Sequence, residues 1–370
     1  MRTRSRLFAA MAILAMACSD ESSSDPEEVL GPGTAPSAET RAQSGVTVLT
    51  RNLYVGTDVD AVIGALQTPD PADDLPTLLA AIETLRRTDF PRRAAAFADE
   101  IAEARPHAVG LQEVSQVDLV LPPLGVDVHL DFLPTLLAEL SARGLHYAVA
   151  AKIRNIDAQP TPGVSLVDYD AMLVDQRRVK LLETNAGSFA ANLGEVAPGV
   201  VLRRGWVTAK GAVRGVTYTF ASTHLESGQL PGLDQLRAAQ AGELVQVLAG
   251  ARSVVLMGDL NDVPGSPMHQ LLVGAGYQDV WAAFRPGESG LTCCHAPDLS
   301  NPVQQFDERI DYLLVRHAPH PGREFNGWIH LVGEGPADRI AGPEGLIWPS
   351  DHAGLAARLR APAGEGRGPE

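Results

Sequence analysis

The chain has 370 residues, 45% of them hydrophobic, and a formal net charge of −15. This length suffices for one large α/β domain or two ordinary domains with a sizeable core. The acidic balance disfavours strong non-specific binding to duplex DNA, because such binders are usually basic, although a basic groove or a bound cation can offset it locally. With only three cysteines, a disulfide scaffold is excluded.

The first residues have the features of an export signal, which we assign to residues 1–17. Three arginines precede an apolar run, Leu7–Ala17, which is shorter than the roughly 20 residues that span a bilayer. Small residues before Cys18 resemble a lipoprotein cleavage site, although Ala15 stands where leucine is usual. We therefore expect an exported protein that is lipid-anchored to the bacterial cell envelope through Cys18. The alternative is a periplasmic or secreted protein without the lipid.

Two polar segments flank the central part of the chain. Residues 18–44 are rich in serine, proline, glycine and acidic residues, and residues 361–370 are rich in glycine, proline and charged residues. Neither segment can bury enough apolar surface to order itself, so we predict a disordered tether and a disordered tail. No repeat or long linker divides residues 45–360, which we predict to form one domain. Nothing implies a protein partner, and we expect a monomer.

Short apolar runs alternate with helical stretches across this domain. We predict strands at Val46–Asn52, Ala108–Glu113, His146–Ala150, Asp170–Asp175, Val201–Ala209, Val216–Thr223, Ser253–Gly258, Ile310–Val315 and Gly354–Leu359. Many of these runs are nearly continuous in apolarity, which is typical of sheets covered on both faces.

Helices are predicted where the apolar spacing changes to a helical period. They lie at Pro91–Arg105, Asp131–Arg143, Asp234–Ala249 and Pro267–Val273. The first begins with a proline and stops before Pro106, and the next two stop at a glycine. Asp58–Thr88 and Gly187–Val200 show no clear pattern, and we predict loops or insertions near a rim.

Polar side chains interrupt the apolar runs at five strand boundaries. They are Asn52, Glu113, His224, Asp259, Asn261, Asp351 and His352. Each residue alone is commonly a turn or structural residue. Because ligands collect where the strands of an α/β sheet end, we expect these side chains to converge on one site if the strands share one edge.

The order of these residues and the sequence around them resemble the endonuclease/exonuclease/phosphatase superfamily. Its members include deoxyribonuclease-type and abasic-site endonucleases, bacterial sphingomyelinases and inositol-polyphosphate 5-phosphatases. The resemblance covers about Val46 to Leu359 and is carried by LQEV at Leu111–Val114, STHLES at Ser222–Ser227, GDLND at Gly258–Asp262, DYLLV at Asp311–Val315 and SDH at Ser350–His352. TRNLYVG at Thr50–Gly56 and TCCHAPDLSN at Thr292–Asn301 look like a bacterial exported branch. The resemblance implies an α/β fold, namely a four-layer α/β sandwich of two packed mixed β-sheets flanked by helices.

The resemblance also implies a metal site and an activated water. Glu113, supported by Asn52 and Asp351, would hold Mg²⁺ or Mn²⁺, since these ions prefer a small number of oxygen ligands. Asp259 would orient or deprotonate the attacking water, and Asn261 would hold the phosphate through its amide.

Two histidines complete the implied chemistry. His224 would contact a non-bridging oxygen or aid the leaving group. His352 would contact the phosphate or transfer a proton, with Asp311 fixing its tautomer. Many relatives carry Tyr, Arg or Asn in the middle strands to grip phosphate. Here the corresponding segment reads SLVDYDA, in which we expect Asp170 to be a site residue and Tyr169 to form a wall.

The implied function is divalent-metal-dependent hydrolysis of phosphodiesters, by a nuclease or by a phospholipid or sphingolipid phosphodiesterase. The negative charge and the expected membrane anchor argue mildly for small or lipid substrates. The alternatives are a phosphomonoesterase of the inositol-phosphate type and a catalytically inactive anchored binding protein on the same fold. Motifs for a serine-hydrolase elbow, a zinc protease, a P-loop or a dinucleotide fold are absent from the sequence. Cys293 and Cys294 form either a vicinal disulfide or a pair of thiols.

Overall fold

The computed structural model describes residues 45–68, 70, 72–317 and 325–360. The predicted export signal with Cys18, the tether and the C-terminal tail lie outside the described residues. Within the described ranges, none of the helices combines the length and the apolar composition that crossing a bilayer needs.

Two large mixed β-sheets form the centre of the fold. The first sheet contains β1 (Val46–Asn52), β2 (Ala108–Gln112), β3 (Gln116–Leu121), β4 (Val126–Asp131), β5 (Tyr147–Ala158), β6 (Val164–Asp175), β8 (Gly194–Ala197), β9 (Val200–Leu202), β15 (Asn326–Val332) and β18 (Gly354–Arg360). The second contains β7 (Lys180–Ser188), β10 (Gly205–Val213), β11 (Val216–His224), β12 (Ser253–Asp259), β13 (Gln278–Asp279) and β14 (Asp311–His317). A separate two-stranded sheet pairs β16 (Ile340–Ala341) with β17 (Leu346–Ile347).

The strand order places the site-bearing strands at the centre of each sheet. The first sheet runs β15-β18-β1-β2-β6-β5-β9-β8, with the β3–β4 hairpin attached to β6. The second runs β13-β14-β12-β11-β10-β7. Both sheets mix parallel and antiparallel pairs, since β1 is parallel to β2 and β11 to β12, whereas most other pairs are antiparallel.

Helices pack on both sheets, and four of them cover the outer faces. The helices are α1 (Val59–Gln67), α2 (Asp74–Thr88), α3 (Phe90–Ala104), α4 (Phe132–Ala142), α5 (Leu233–Val247), α6 (Pro267–Gly274) and α7 (Val280–Phe284). The helices α3 and α4 pack on the first sheet through Phe97 and Leu136, and α5 and α6 pack on the second through Leu244 and Leu272. Between the sheets, apolar side chains such as Met172, Phe220 and Met257 form the largest core cluster. The predicted four-layer α/β sandwich is thereby confirmed.

The four predicted helices are present, with ends within two residues of those expected. The helix α3 shows the reason. Pro91 lies in its first turn, where a missing N–H costs nothing. Its last turn ends at Arg105, which adopts a left-handed conformation and donates its N–H to the Ile101 carbonyl. Local signals of this kind can be recognised without knowledge of the rest of the fold.

The prediction of loops between Asp58 and Thr88 was wrong, because this segment forms α1 and α2. The side chain of Asp58 caps α1 by accepting a hydrogen bond from the Ala61 amide. The apolar faces of the two helices pack on the far part of the first sheet through Ile63, Ile82 and Leu85. Packing against the first sheet therefore stabilises both helices, and the local sequence pattern does not reveal this packing.

The region after β6 was also predicted incorrectly. The predicted strand Val201–Ala209 is interrupted at Arg203 and Arg204, and its halves, β9 and β10, belong to different sheets. The predicted loop Gly187–Val200 contains β8 and the end of β7. A crossing between two sheets leaves no signal in hydrophobicity, because both halves of the crossing segment remain apolar.

Candidate active site

The register of the second sheet brings three polar residues to one level. Parallel pairing of β11 with β12 places His224 beside Asp259. Antiparallel pairing of β12 with β14 places Asp259 beside Asp311. Gly258, which precedes Asp259, has φ +156°, and a Cβ there would overlap the Thr223 carbonyl. The three side chains therefore form a row at the end of the sheet.

The first sheet brings its own polar residues to the same end. Parallel pairing of β1 with β2 places Asn52 opposite Gln112, so Glu113 follows at the same edge. The strand β18 runs antiparallel to β1, so Asp351 and His352, which precede it, return to that edge. All the strand-terminal residues expected from the sequence therefore meet where the two sheets end.

A polar bridge joins the two sheets just beneath this edge. The Gln112 amide donates to Ser222 Oγ at 2.9 Å and accepts from Thr50 Oγ1 at 3.2 Å. Gly110 permits this approach, because a Cβ at that position would lie 2.8 Å from Ser222 Oγ. The distance between the two halves of the site is thus fixed by backbone packing and by one buried amide.

Asp259 lies at the centre of the hydrogen-bond network. Its Oδ2 accepts from Asn52 Nδ2 at 3.1 Å, and its Oδ1 accepts from the Asn261 backbone N–H at 3.0 Å. The same Asn52 nitrogen donates to Glu113 Oε1 at 2.9 Å. One fully buried amide therefore links carboxylates that belong to different sheets. The side-chain amide of Asn261 donates to the Leu225 carbonyl at 3.0 Å.

The Asp311–His352 pair forms the second part of the network. His352 Nδ1 donates to Asp311 Oδ2 at 2.8 Å. Burial would lower the pKa of His352, but the carboxylates of Asp311, Asp351 and Asp259 outweigh burial and hold that pKa well above its usual value. The carboxylates therefore favour the cationic form of the imidazole, with Nδ1 committed to Asp311 and Nε2 on the other side of the ring.

The carboxylates of the site outnumber the groups that could neutralise them. Burial, with the charge of Asp311 adding to it, raises the pKa of Asp259 to about 7, and His352 opposes the rise. Burial also raises the pKa of Asp351 to about 6, against His352, and the nearby Glu113 adds to the rise. Such perturbed carboxyl groups in one cluster are typical of functional sites.

His224 has the opposite character to His352. Its Nε2 lies 3.7 Å from Asp259 Oδ2, and its Nδ1 has no hydrogen-bond partner among the described residues. Burial lowers its pKa well below the usual value, and the positive charges of Arg204 and His352 lower it further. The surroundings therefore favour the neutral form of His224 and the cationic form of His352.

Three of the seven non-glycine residues with positive φ in the described ranges lie at this edge. Glu113, Asn261 and Tyr54 all have left-handed φ values, of 55°, 52° and 58°. Non-glycine residues rarely adopt this conformation, and strained residues of this kind cluster at functional sites. At Glu113 the turn directs the carboxylate back to the edge, where Oε2 accepts from the Val55 amide at 2.7 Å.

The donor set fits a hard divalent cation. Glu113 and Asp351 lie close enough for their charges to repel, and no lysine or arginine in the described ranges forms an ion pair with either. Oxygen donors with excess negative charge are what Mg²⁺ and Mn²⁺ prefer. Beside them, Asp259, Asp311 and His352 offer three potential ligand atoms within 4.8 Å of one another.

The middle strands contribute Asp170 but not Tyr169. Asp170 is fully buried, and burial raises its pKa well above the usual value; Asn155 lies beside it, yet neither carboxylate oxygen makes a hydrogen bond of good geometry. Adjacent residues of a strand point to opposite faces. Accordingly, Tyr169 packs on the helix-covered side, where its hydroxyl donates to Gln116 at 3.2 Å.

Sequence reasoning missed a buried ion pair beside the site. Arg204 Nε lies 3.2 Å from Glu226 Oε1, and its Nη2 donates to Ser227 Oγ at 3.2 Å. Both charged residues are almost completely buried. The guanidinium places a permanent positive charge near His224 and Asp170. The only sequence signal was Glu226 itself, inside the STHLES segment.

A second buried arginine supports the loops that present the site. Arg93, on α3, donates to the backbone carbonyls of Thr88, Leu53 and Tyr54, at 2.8, 2.5 and 3.0 Å. It also donates to the Pro349 carbonyl at 3.2 Å. One side chain thus fixes both the segment after β1 and the segment before Asp351 and His352.

The adjacent cysteines lie at the rim beside His352. The sulfur atoms of Cys293 and Cys294 are in contact, and Cys294 Sγ is 3.9 Å from His352 Nε2. Cys293 is buried and Cys294 is exposed. The pair therefore borders the free side of the imidazole.

Comparison with known proteins gave one family and one fold. The model of the Endonuclease/Exonuclease/phosphatase family matches residues 79–352. A search of curated proteins gave no match.

Among solved structures, an endonuclease/exonuclease/phosphatase from Beutenbergia cavernae has a TM-score of 0.56 at 20% identity, covering 86% of this chain and 72% of its own. A protein of that family from Bacteroides thetaiotaomicron has a TM-score of 0.54 at 15% identity, covering 85% and 97%. D. rerio TDP2 complexed with a single-strand DNA product has a TM-score of 0.50 at 17% identity, covering 85% and 99%.

Proposed function

Since the chain belongs to the endonuclease/exonuclease/phosphatase family, we propose that it hydrolyses phosphodiester bonds with the help of a divalent cation. The observation that carries the proposal is the position of Asp259. This carboxylate lies between the Asn52–Glu113 pair on one side and the Asp311–His352 pair on the other. Asp259 can act as a base between the acidic Glu113 and the imidazole of His352. This arrangement suits attack by a water molecule in line with the leaving group of a phosphate.

In the proposed mechanism Asp259 accepts the proton of the attacking water. Burial favours proton uptake by this carboxyl group, because its pKa is raised to about 7. The hydrogen bonds from Asn52 and Asn261 fix the direction of both oxygens, so the water is held on one line with the phosphorus.

The two histidines take different parts in the proposed mechanism. Cationic His352, held through Nδ1 by Asp311, donates from Nε2 to a phosphoryl oxygen and neutralises its charge. Neutral His224 donates a hydrogen bond to a second non-bridging oxygen without competing with the substrate for a positive charge. Asn261 supplies its amide at the phosphate.

Glu113, Asn52 and Asp351 would hold the cation, either Mg²⁺ or Mn²⁺. When bound, the cation supplies a positive charge that stabilises negative charge on the phosphate oxygens. Glu113 is the most direct candidate, because its left-handed backbone aims the carboxylate into the edge. Asn52 acts as a positioning residue for the carboxylates on either side of it.

The substrate class is the open part of the proposal. A fold relative solved with a single-strand DNA product makes nucleic acid one candidate. The net charge of −15 favours a small or lipid phosphodiester instead. A phosphomonoester of the inositol-phosphate type is a further candidate.

A metal-replete substrate panel tests the proposal. Plasmid DNA, RNA, sphingomyelin, phosphatidylcholine, inositol phosphates and bis-p-nitrophenyl phosphate are each incubated with Mg²⁺ or Mn²⁺, with and without EDTA. We expect EDTA-sensitive hydrolysis of at least one phosphodiester. Hydrolysis of none of them by folded, metal-loaded enzyme, or hydrolysis that resists EDTA, would contradict the proposal.

We also propose that the protein is exported and lipid-anchored through Cys18. The support is the short apolar run that ends in small residues before this cysteine. Cys18→Ala should abolish metabolic labelling with a radioactive fatty acid and release the protein from the membrane fraction. Equal solubility and equal absence of label in both forms would contradict the anchor.

A further inference from the structure

An apolar cavity of about 80 Å³ lies under the two helices that the sequence did not predict. The helices α1 and α2 form one wall through Ile63, Leu66 and Ala81, and strands of the first sheet form the other through Val117 and Leu166. The surface that the cavity presents is entirely apolar, and the cavity is partly open to solvent. Its lining includes residues of two small core clusters, and Leu166 packs against both.

This cavity is linked to the candidate active site through Val55. Val55 lines it with its side chain, while the Val55 amide donates to Glu113 Oε2 at 2.7 Å. The strand β3, which carries Val117, begins three residues after Glu113. Asp60, in the first turn of α1, is close enough to Glu113 and Arg204 to feel their charges. The cavity therefore shares a wall residue with the segment that holds Glu113.

The apolar lining of the cavity suits a hydrocarbon group. Protein interiors are normally close-packed, so an unfilled apolar space between helix and sheet leaves its lining without contact partners. Apolar cavities stay dry and bind apolar groups, and one of about 150 Å³ accommodates benzene. A space of about half that size admits a short aliphatic segment and excludes a stacked nucleobase with its polar edge.

We propose that this cavity binds an aliphatic chain of the substrate, which makes the enzyme selective for amphiphilic phosphodiesters over nucleic acids. The proposal rests on the phosphodiesterase function inferred above and names the substrate class of the same site. The phosphate lies at the edge formed by Glu113 and Asp259, and the chain of its ester group enters between α1 and the first sheet. The remainder of a long chain extends towards solvent or into a membrane surface.

A series of alkyl p-nitrophenyl phosphates tests the proposal. The methyl, butyl, hexyl and dodecyl esters share one reacting phosphate and one leaving group, so only the chain varies. We expect kcat/KM to rise by up to about fourfold for each added methylene that is buried. The rise should stop once the cavity is filled. The hexyl ester should then exceed the methyl ester by at least about tenfold.

Filling the cavity provides the matched variant. Ala81→Leu extends a side chain into the cavity from α2, and Ala158→Val does so from the opposite strand. Either variant should reduce the hexyl-to-methyl ratio of kcat/KM towards one. Ala80→Leu, on the exposed side of the same helix, should keep the wild-type ratio.

The outcomes separate this proposal from the one on which it rests. If no ester is hydrolysed, methyl included, the phosphodiesterase function fails. If all esters are hydrolysed at the same rate, the function stands and the chain site is wrong. If Ala81→Leu and Ala158→Val raise the melting temperature without changing the ratio, the cavity is a packing void only. Faster hydrolysis of oligonucleotides than of any long-chain ester would also overturn the proposal.

Discussion

The second sheet contains two buried groups in which an aspartate lies beside a histidine, one around Asp259 and one around Asp279. Asp279 receives two hydrogen bonds from Arg309, at 3.1 and 2.7 Å, and lies 3.2 Å from His269 Nε2. Burial alone would raise the pKa of Asp279, but His269 and Arg309 outweigh burial and lower it to about 2. At Asp259 no arginine in the described ranges forms an ion pair, and burial raises the pKa to about 7.

The difference teaches how to separate a structural carboxylate from a functional one. Both aspartates are buried, both cap local backbone, and both have a histidine nearby. The Asp279 group is neutralised within the chain, whereas the Asp259 group has more acceptors than donors. An excess of buried negative charge is unstable unless something from outside, such as a cation, a proton or a substrate, balances it. We infer that only the unbalanced group is built for chemistry.

The largest expected effect is the loss of turnover on changing Asp259→Asn. The variant keeps the shape and one acceptor but cannot take a proton, and general acid–base catalysis typically contributes 10²–10⁴-fold. We expect kcat to fall at least ~100-fold on the best phosphodiester, with circular dichroism and melting behaviour close to wild type. A well-folded variant with near-normal turnover would show that Asp259 is a turn residue.

Asp279→Asn is the matched control, and we expect it to lose stability without losing turnover. Removing one partner of a buried ion pair typically costs about 3–5 kcal/mol, because the other charge stays buried. Because asparagine keeps one side-chain oxygen that can accept a hydrogen bond, we expect a loss of stability near the lower end of this range. Urea unfolding should show the loss in the free energy of unfolding, while kcat per folded molecule stays at the wild-type value. A change of kcat without a change of stability would remove the distinction between the two groups.

A smaller effect is expected in the pH dependence of stability. The folded-state pKa of Asp279 is about 2, below the unfolded value of about 3.9, so the ionised form stabilises the fold. That contribution, about 2–3 kcal/mol, is almost fully present above about pH 5 and is lost as the pH falls through 2. The difference in the free energy of unfolding between wild type and Asp279→Asn should therefore narrow between about pH 5 and pH 2. A difference that stays constant over this range would contradict the assigned shift.

The comparison also explains what the sequence could and could not reveal. Asp259, Asp311 and His352 were identifiable because each stands at the boundary of an apolar run, within short segments that resemble one family. Arg309 and Arg204 were not, since a buried arginine in sequence looks like any surface arginine until its carboxylate partner is known. Only the register of β12 and β14 brings Asp259 and Asp311 side by side, and register is not encoded in one strand alone.

In the fold, too, elements with local sequence signals were predicted correctly, and elements that depend on tertiary contacts were not. The helix α3 was predicted nearly to its ends because its apolar face and its stop signals are local. The helices α1 and α2 were missed because their stability comes mainly from what they pack against. The break between β9 and β10 was missed because the two halves differ only in which sheet they join. The cavity beside Val55 follows from these missed elements and was therefore beyond sequence reasoning.

The central claim is that the edge between the sheets holds a cation through Glu113 and activates water through Asp259. Titration calorimetry with Mn²⁺ on the wild type, Glu113→Gln and Asp259→Asn, with turnover measured on the same samples, tests it most directly. We predict that Glu113→Gln weakens Mn²⁺ binding at least ~10-fold and lowers activity with it, on the scale at which site residues alter metal affinity. Asp259→Asn should bind Mn²⁺ nearly as the wild type does, yet turn over at least ~100-fold more slowly. Equal Mn²⁺ affinity in all three folded proteins, or activity that persists when no Mn²⁺ or Mg²⁺ is bound, would contradict the claim.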